Sequence, residues 1–100
     1  MFIWVCVDSK DKQNAKITEV VNAKYWALVE MNGGETKEIT FYDKREDYGD
    51  WVDFIILKNK YESYMEFMEE GMMVLCVREQ ERLSEVIESF VFKELDEVGL

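Results

Sequence analysis

The hexapeptide Phe2-Ile3-Trp4-Val5-Cys6-Val7 carries no charged or amide side chain and stops at Asp8-Ser9. A strand with one wet face alternates apolar and polar residues, whereas an unbroken apolar run needs cover on both faces. This feature requires a sheet with layers above and below it, and it makes residues 2–7 a central strand. Trp51 to Leu57 is a second such run, interrupted by Asp53, and Met72 to Val77 is a third.

The segments between them read differently. Asp8 to Asn14 is polar and reads as a loop. Ala15 to Asn22, with Ala15, Ile17, Val20 and Val21 apolar, fits a short helix or an irregular packed segment equally. Tyr25 to Met31 reads as a strand. Asn32-Gly33-Gly34 then signals a tight hairpin, because Asn and Gly tolerate positive φ. Thr36 to Tyr42 alternates Ile39 and Phe41 with Lys37, Glu38 and Thr40, the pattern of a half-exposed edge strand guarded by charge.

Asp43 to Asp50 is a charged loop. Tyr61, Tyr64, Met65 and Met68 follow helical spacing, with Gly71 where a C-terminal cap belongs. The last helix is expected over Glu81 to Asp96, with Leu83, Val86, Ile87, Phe90 and Leu95 on one side. The order is β-β-β-β-α-β-α, without repeat or linker, so residues 1–100 are read as a single domain.

Charge narrows the function classes. Twenty-two acidic residues against 12 basic give a net charge of −10. Nucleic-acid binding draws mostly on phosphate neutralisation, so the expectation is no nucleic-acid partner. The basic groups Lys10, Lys12 and Lys16, and Lys58 with Lys60, are too small to outweigh the field of the whole chain. The apolar start lacks a basic lead and a small-residue cleavage site, and no apolar run approaches the roughly 20 residues of a membrane helix. The expected location is the cytoplasm, with no membrane contact. There is no histidine, the commonest metal ligand and general base.

Three constellations remain. Cys6 and Cys76 lie in the first and fifth strands and read as small core residues, the usual place of a free cysteine. With the fourth strand between them they stand roughly 9–10 Å apart, beyond the ~7 Å limit for a disulfide. No CxxC pair accompanies them, so no metal site and no cofactor is expected from the residues alone. Asp8, Glu30 and Asp53 sit at or near strand ends, where paired carboxylates can hold two metal ions for phosphodiester cleavage. With 22 acidic residues in the chain such a coincidence is cheap, and Asp8 reads more simply as a turn residue. Tyr61, Tyr64, Met65 and Met68 read either as a helix packed on the sheet or as an adaptable partner-binding surface. No glycine-rich phosphate loop follows any strand.

Several stretches carry a family resemblance. They are Ala23-Lys24-Tyr25-Trp26-Ala27-Leu28-Val29-Glu30, Gly33-Gly34 with Glu38, Val52-Asp53-Phe54-Ile55-Ile56, Met68-Glu69-Glu70-Gly71 leading into Val74, and Glu85-Val86-Ile87-Glu88-Ser89-Phe90. In this order and spacing the chain resembles a degenerate member of the dinitrogenase iron–molybdenum cofactor biosynthesis family. The resemblance implies an α/β, ribonuclease H-like fold without nuclease chemistry: a five-stranded mixed sheet, order 3-2-1-4-5, with two main helices. It also brings in an iron–molybdenum or iron–sulfur cluster as cargo, for which Cys6 and Cys76 are the only soft ligands.

The chain departs from the family's pattern at three places. Glu19-Val20-Val21-Asn22 stands near the family's His-Phe-Gly-Arg stretch, and Lys58-Asn59-Lys60-Tyr61 replaces a glycine-rich turn after the fourth strand. A short loop, Asp43 to Asp50, replaces a helix. The expectation is therefore a non-enzymatic accessory protein with an eroded cofactor site, acting through a protein partner or a homodimer contact. The alternatives are a cluster carrier and, third, a metal-dependent nuclease.

The sheet order makes its own demand. Strands three and four lie three positions apart, a span of about 22–25 Å that Asp43 to Trp51 bridges nearly taut at a reach of about 30 Å. With no helix in that crossover, one sheet face is expected to be partly uncovered and open to a partner.

Overall fold

The computed structural model describes residues 1–99. The strands are β1 (Phe2–Val7), β2 (Tyr25–Asn32), β3 (Glu35–Tyr42), β4 (Phe54–Leu57), β5 (Met73–Cys76) and β6 (Asp96–Glu97). Helix α1 (Met65–Glu69) joins β4 to β5, and α2 (Leu83–Val91) follows β5. The sheet order is β3-β2-β1-β4-β5-β6. β1 is central as its composition demands: it runs antiparallel to β2 and parallel to β4, with Ile3, Trp4 and Val5 opposite Phe54, Ile55 and Ile56.

The side chains of β1 alternate between two cores. Ile3, Val5 and Val7 join Ala27, Val29 and Ile56 beneath Leu83 and Val86 of α2. Trp4 joins Leu28, Ile55, Leu57 and Val74 beneath Phe67 of α1. The loop before β2 is tied to α2 through its backbone. Leu83 N–H donates to Ala15 C=O at 2.8 Å and Ser84 N–H to Gln13 C=O at 3.0 Å, satisfying donors a helix start leaves orphaned. The undecided segment Ala15 to Asn22 is thus mostly irregular, with bridges at Lys16 and Ile17 and a 3₁₀ turn over Val20–Asn22.

Four expectations need correction. The sheet has six strands, because the last helix ends at Val91 rather than near Asp96. Lys93 adopts φ +58° and Glu94 N–H closes back on Ser89 C=O at 2.8 Å, a Schellman-type stop that frees Asp96–Glu97 to pair with β5. The fourth strand starts at Phe54; just ahead of it the Asp53 carboxylate brackets Phe2 N–H (2.8 Å) and the Trp51 indole N–H (3.0 Å), while the Asp53 backbone bonds to Phe2 and Met73. The 61–68 helix shrinks to Met65–Glu69, because Tyr61 N–H is held by the Asn59 side chain at 2.9 Å in a turn.

The fourth correction concerns the bare face. The crossover has no α-helix, only a 3₁₀ turn over Arg45–Asp47, yet it covers the sheet with side chains. The Tyr48 ring lies 5.9 Å from Trp4, 5.7 Å from Tyr42 and 6.0 Å from Phe2. The Arg45 guanidinium sits 5.0 Å above Phe67 and grips Glu70 with both terminal nitrogens, one at 2.9 Å. Trp51 rests on Gly71, where a Cβ would meet its ring at 2.5 Å. Arg45 and Tyr48 thus do the covering, while Trp51, 56% exposed, lies against Gly71 outside the sheet.

Candidate functional site

Where parallel strands end and their connections leave toward opposite sides of the sheet, a crevice opens beyond the carboxyl edge. Here that point lies between β1 and β4, since the chain leaves β1 toward β2 and leaves β4 toward β5. Its walls are the segments 8–24 and 58–64. These contain the departing stretches Glu19–Asn22 and Lys58–Tyr61, and the fold brings the two together.

They are bonded to each other. The Glu62 carboxylate accepts N–H of Val20 at 2.7 Å through one oxygen, and of Lys58 (2.9 Å) and Asn59 (3.1 Å) through the other. The Glu19 carboxylate accepts from the Asn59 amide at 3.2 Å and the Asn22 amide at 3.4 Å. Three backbone donors that could have faced a ligand are thus committed to one internal carboxylate. Glu62 gave no sequence signal, since a lone Glu in a charged loop reads as solvated.

A recess of about 440 Å³ continues this edge toward β5, lined by Lys16, Lys58, Arg78, Glu79, Gln80 and Glu81. Lys16 and Lys58, from separate basic groups in the sequence, meet here, but Glu79 and Glu81 balance them. Arg78 pairs with Asp96 at 3.0 Å, and Arg78 N–H and Glu79 N–H both donate to the Gln80 side-chain oxygen, at 2.9 and 3.1 Å. The Gln80 amide in turn donates to buried Ser89 at 2.9 Å.

The cysteines lie at this end of their strands, but their side chains are buried beneath the edge. Cys6 is 1% and Cys76 4% exposed, and register puts Leu57 between them. Burial raises the pKa of both thiols above the ordinary value, so both stay protonated. Protonated thiols two strands apart do not fit the ligation of a shared metal cluster, which needs convergent thiolates. Among the described residues no group of three or more His, Cys, Asp or Glu side chains is placed to hold a metal ion.

The three carboxylates are also separated. Asp8 lies beyond the carboxyl end of β1, where it accepts Lys16 N–H at 2.9 Å. Glu30 lies beside Phe2 at the other end, 3.5 Å from the Lys37 ammonium, and Asp53 accepts Phe2 N–H. A six-residue strand, roughly 20 Å long, stands between Asp8 and the other two, far more than the 3.5–4 Å of a two-metal site.

The partner-binding quartet divides. Tyr61 is 85% and Met65 57% exposed, whereas Tyr64 and Met68 are half-buried against the second core. Val21, 89% exposed, joins the outward pair at this edge, because Glu62 ties its neighbour Val20 to the turn that carries Tyr61. Its segment has no periodicity, so the sequence did not point to it.

No protein-family model and no curated protein matches the sequence. Solved structures do. The crystal structure of a candidate dinitrogenase from Methanocaldococcus jannaschii aligns with TM-score 0.80, covering 99% of this chain and 95% of that one at 20% identity. A solution structure of the same protein gives 0.80, with 100% and 94% covered at 21% identity. A candidate NifB protein from Thermotoga gives 0.69, with 96% and 91% covered at 16% identity. This chain has their fold. The structural neighbours and the resemblance read from the sequence point to the same group of proteins, and near-complete coverage on both sides makes the likeness one of the whole domain. No helix among the described residues is long and apolar enough to cross a membrane.

Proposed function

We propose that this chain is a non-enzymatic accessory protein on a ribonuclease H-like scaffold of the kind used in nitrogenase cofactor biosynthesis. It has lost cluster carriage and works by protein contact at the carboxyl edge. The observation that carries this reading is the bonding of Glu19–Asn22 to Lys58–Glu62 across the switch point. Those two stretches replace the family's ligand-facing residues, and they satisfy each other. Beside the closed crevice the edge presents Val21, Tyr61 and Met65 to solvent. Exposed apolar groups of this kind suit association with a protein.

The test is anaerobic reconstitution of the full chain with iron and sulfide. The expected result is a colourless protein with no stable absorption in the visible region. A chromophore that survives desalting and disappears in Cys76→Ser would replace this reading with that of a cluster carrier.

A further inference from the structure

The opposite edge of the sheet holds a second feature. An open cleft of about 650 Å³ lies between the β2–β3 hairpin and the end of α2, within the ~300–1,000 Å³ of small-molecule sites. Phe54 and Phe90 meet edge to face at 5.0 Å in its wall, and Met31, Met73 and Leu75 continue the apolar lining. Met73 is 53% exposed, although its neighbour Val74 is buried, because α2 stops at Val91 and leaves the start of β5 without cover.

The rim carries one side-chain cation, Lys93; the Met1 ammonium, also on the cleft, is turned to the Met31 carbonyl at 3.3 Å. Five described residues have positive φ, and four of them are glycines. The fifth is Lys93 at φ +58°, in the C′ position after α2 where glycine is the ordinary choice. The Schellman-type stop accounts for the backbone there but not for the choice of lysine over glycine, and among the described residues Lys93 forms no ion pair. Non-glycine residues held at positive φ cluster at ligand sites, so the side chain carried here is a candidate contact.

We propose that this cleft binds an apolar monocarboxylate, with its hydrocarbon part against Phe54, Phe90 and Leu75 and its carboxylate at Lys93. Charge limits the ligand to one negative group. Glu97 lies on the same cleft, and the net charge of −10 repels a dianion. The site stands at the far edge from Val21 and Tyr61 and is independent of the function proposed above.

The full chain, labelled with ¹³C-methyl methionine, provides the test. Octanoate, kept below its micelle concentration, is expected to shift the Met31 and Met73 methyl signals saturably and to leave Met65 at the other edge unmoved. It is expected to bind about tenfold more tightly than 1-octanol, which has the same chain without the charge. Lys93→Gly is expected to erase that advantage while keeping or raising the melting temperature, since glycine fits φ +58°. Absence of shifts, equal affinity for octanoate and octanol, or unchanged octanoate affinity in Lys93→Gly would each overturn the proposal. Met31 and Met73 shifts that follow protein concentration without ligand would assign the cleft to a second copy of the chain and overturn it as well.

Discussion

Cys6 shows how one buried side chain sets a pH dependence. Its thiol is held neutral chiefly by burial, with the Glu62 carboxylate adding to the effect, and Cys76 is shifted in the same direction. The unfolded chain ionises both thiols near the ordinary value of 9.0, whereas the fold keeps their protons. The unfolded state then binds fewer protons, so stability falls as pH rises past about 9. Tyr48, also raised from its ordinary 10.0 chiefly by loss of water, acts in the same direction somewhat higher. Urea unfolding between pH 7 and pH 10.5 is expected to show this decline, and Cys6→Ala is expected to flatten it from its own lower starting stability. An equally steep decline in Cys6→Ala would remove the thiol from the explanation. The thiol positions were readable in the sequence, because an unbroken apolar strand buries whatever it contains. The Glu62 bracket was not, because its three partners come from residues 20, 58 and 59 and meet only in the fold.

At the scale of elements, the 43–50 loop of the crossover is the part of the fold that composition misjudged. Charge dominates this stretch, so it read as a solvated loop. Tyr48 and Arg45 nevertheless turn inward, because Trp4 and Phe67 present bare aromatic surface for them to cover. The hairpin and the three apolar runs were legible because each is a local pattern. The two-residue β6 has no pattern to read, and it exists because α2 stops early and Arg78 holds Asp96. The contact between Trp51 and Gly71 provides a test of the crossover. Gly71 has φ +91° and a Cβ would strike the indole, so Gly71→Ala is expected to cost about 2–4 kcal/mol in urea unfolding. Gly49, in the same crossover, has open space and no positive φ, so Gly49→Ala is expected to be neutral or slightly stabilising. Equal effects at the two positions would mean that the Trp51 contact is not made.

For the whole molecule, the balance of charge is the property on which solvent acts most directly. Ten excess negative charges spread over a domain with a radius of gyration of 12.0 Å repel one another, and unfolding relieves the repulsion. Raising ionic strength from 0.01 to 0.15 M shortens the screening length from about 30 Å to about 8 Å. The melting temperature is expected to rise by several degrees, corresponding to about 1 kcal/mol. A flat or falling value would mean that local pairs such as Arg45–Glu70 outweigh the net field. The place of β1 at the centre of the sheet also sets an order of events during synthesis. Its partner β2 begins at Tyr25, and β3 ends the local meander at Tyr42, whereas its parallel partner is complete only at Ile56. At about 5–20 residues per second, the ribosome adds those last fourteen residues in about one to three seconds. For that interval the nascent meander has its most apolar strand at an unpaired edge, the kind of edge that another chain can join. The nascent chain is therefore most open to misassembly before β4 emerges, and slow translation of residues 43–56 would lengthen that exposure.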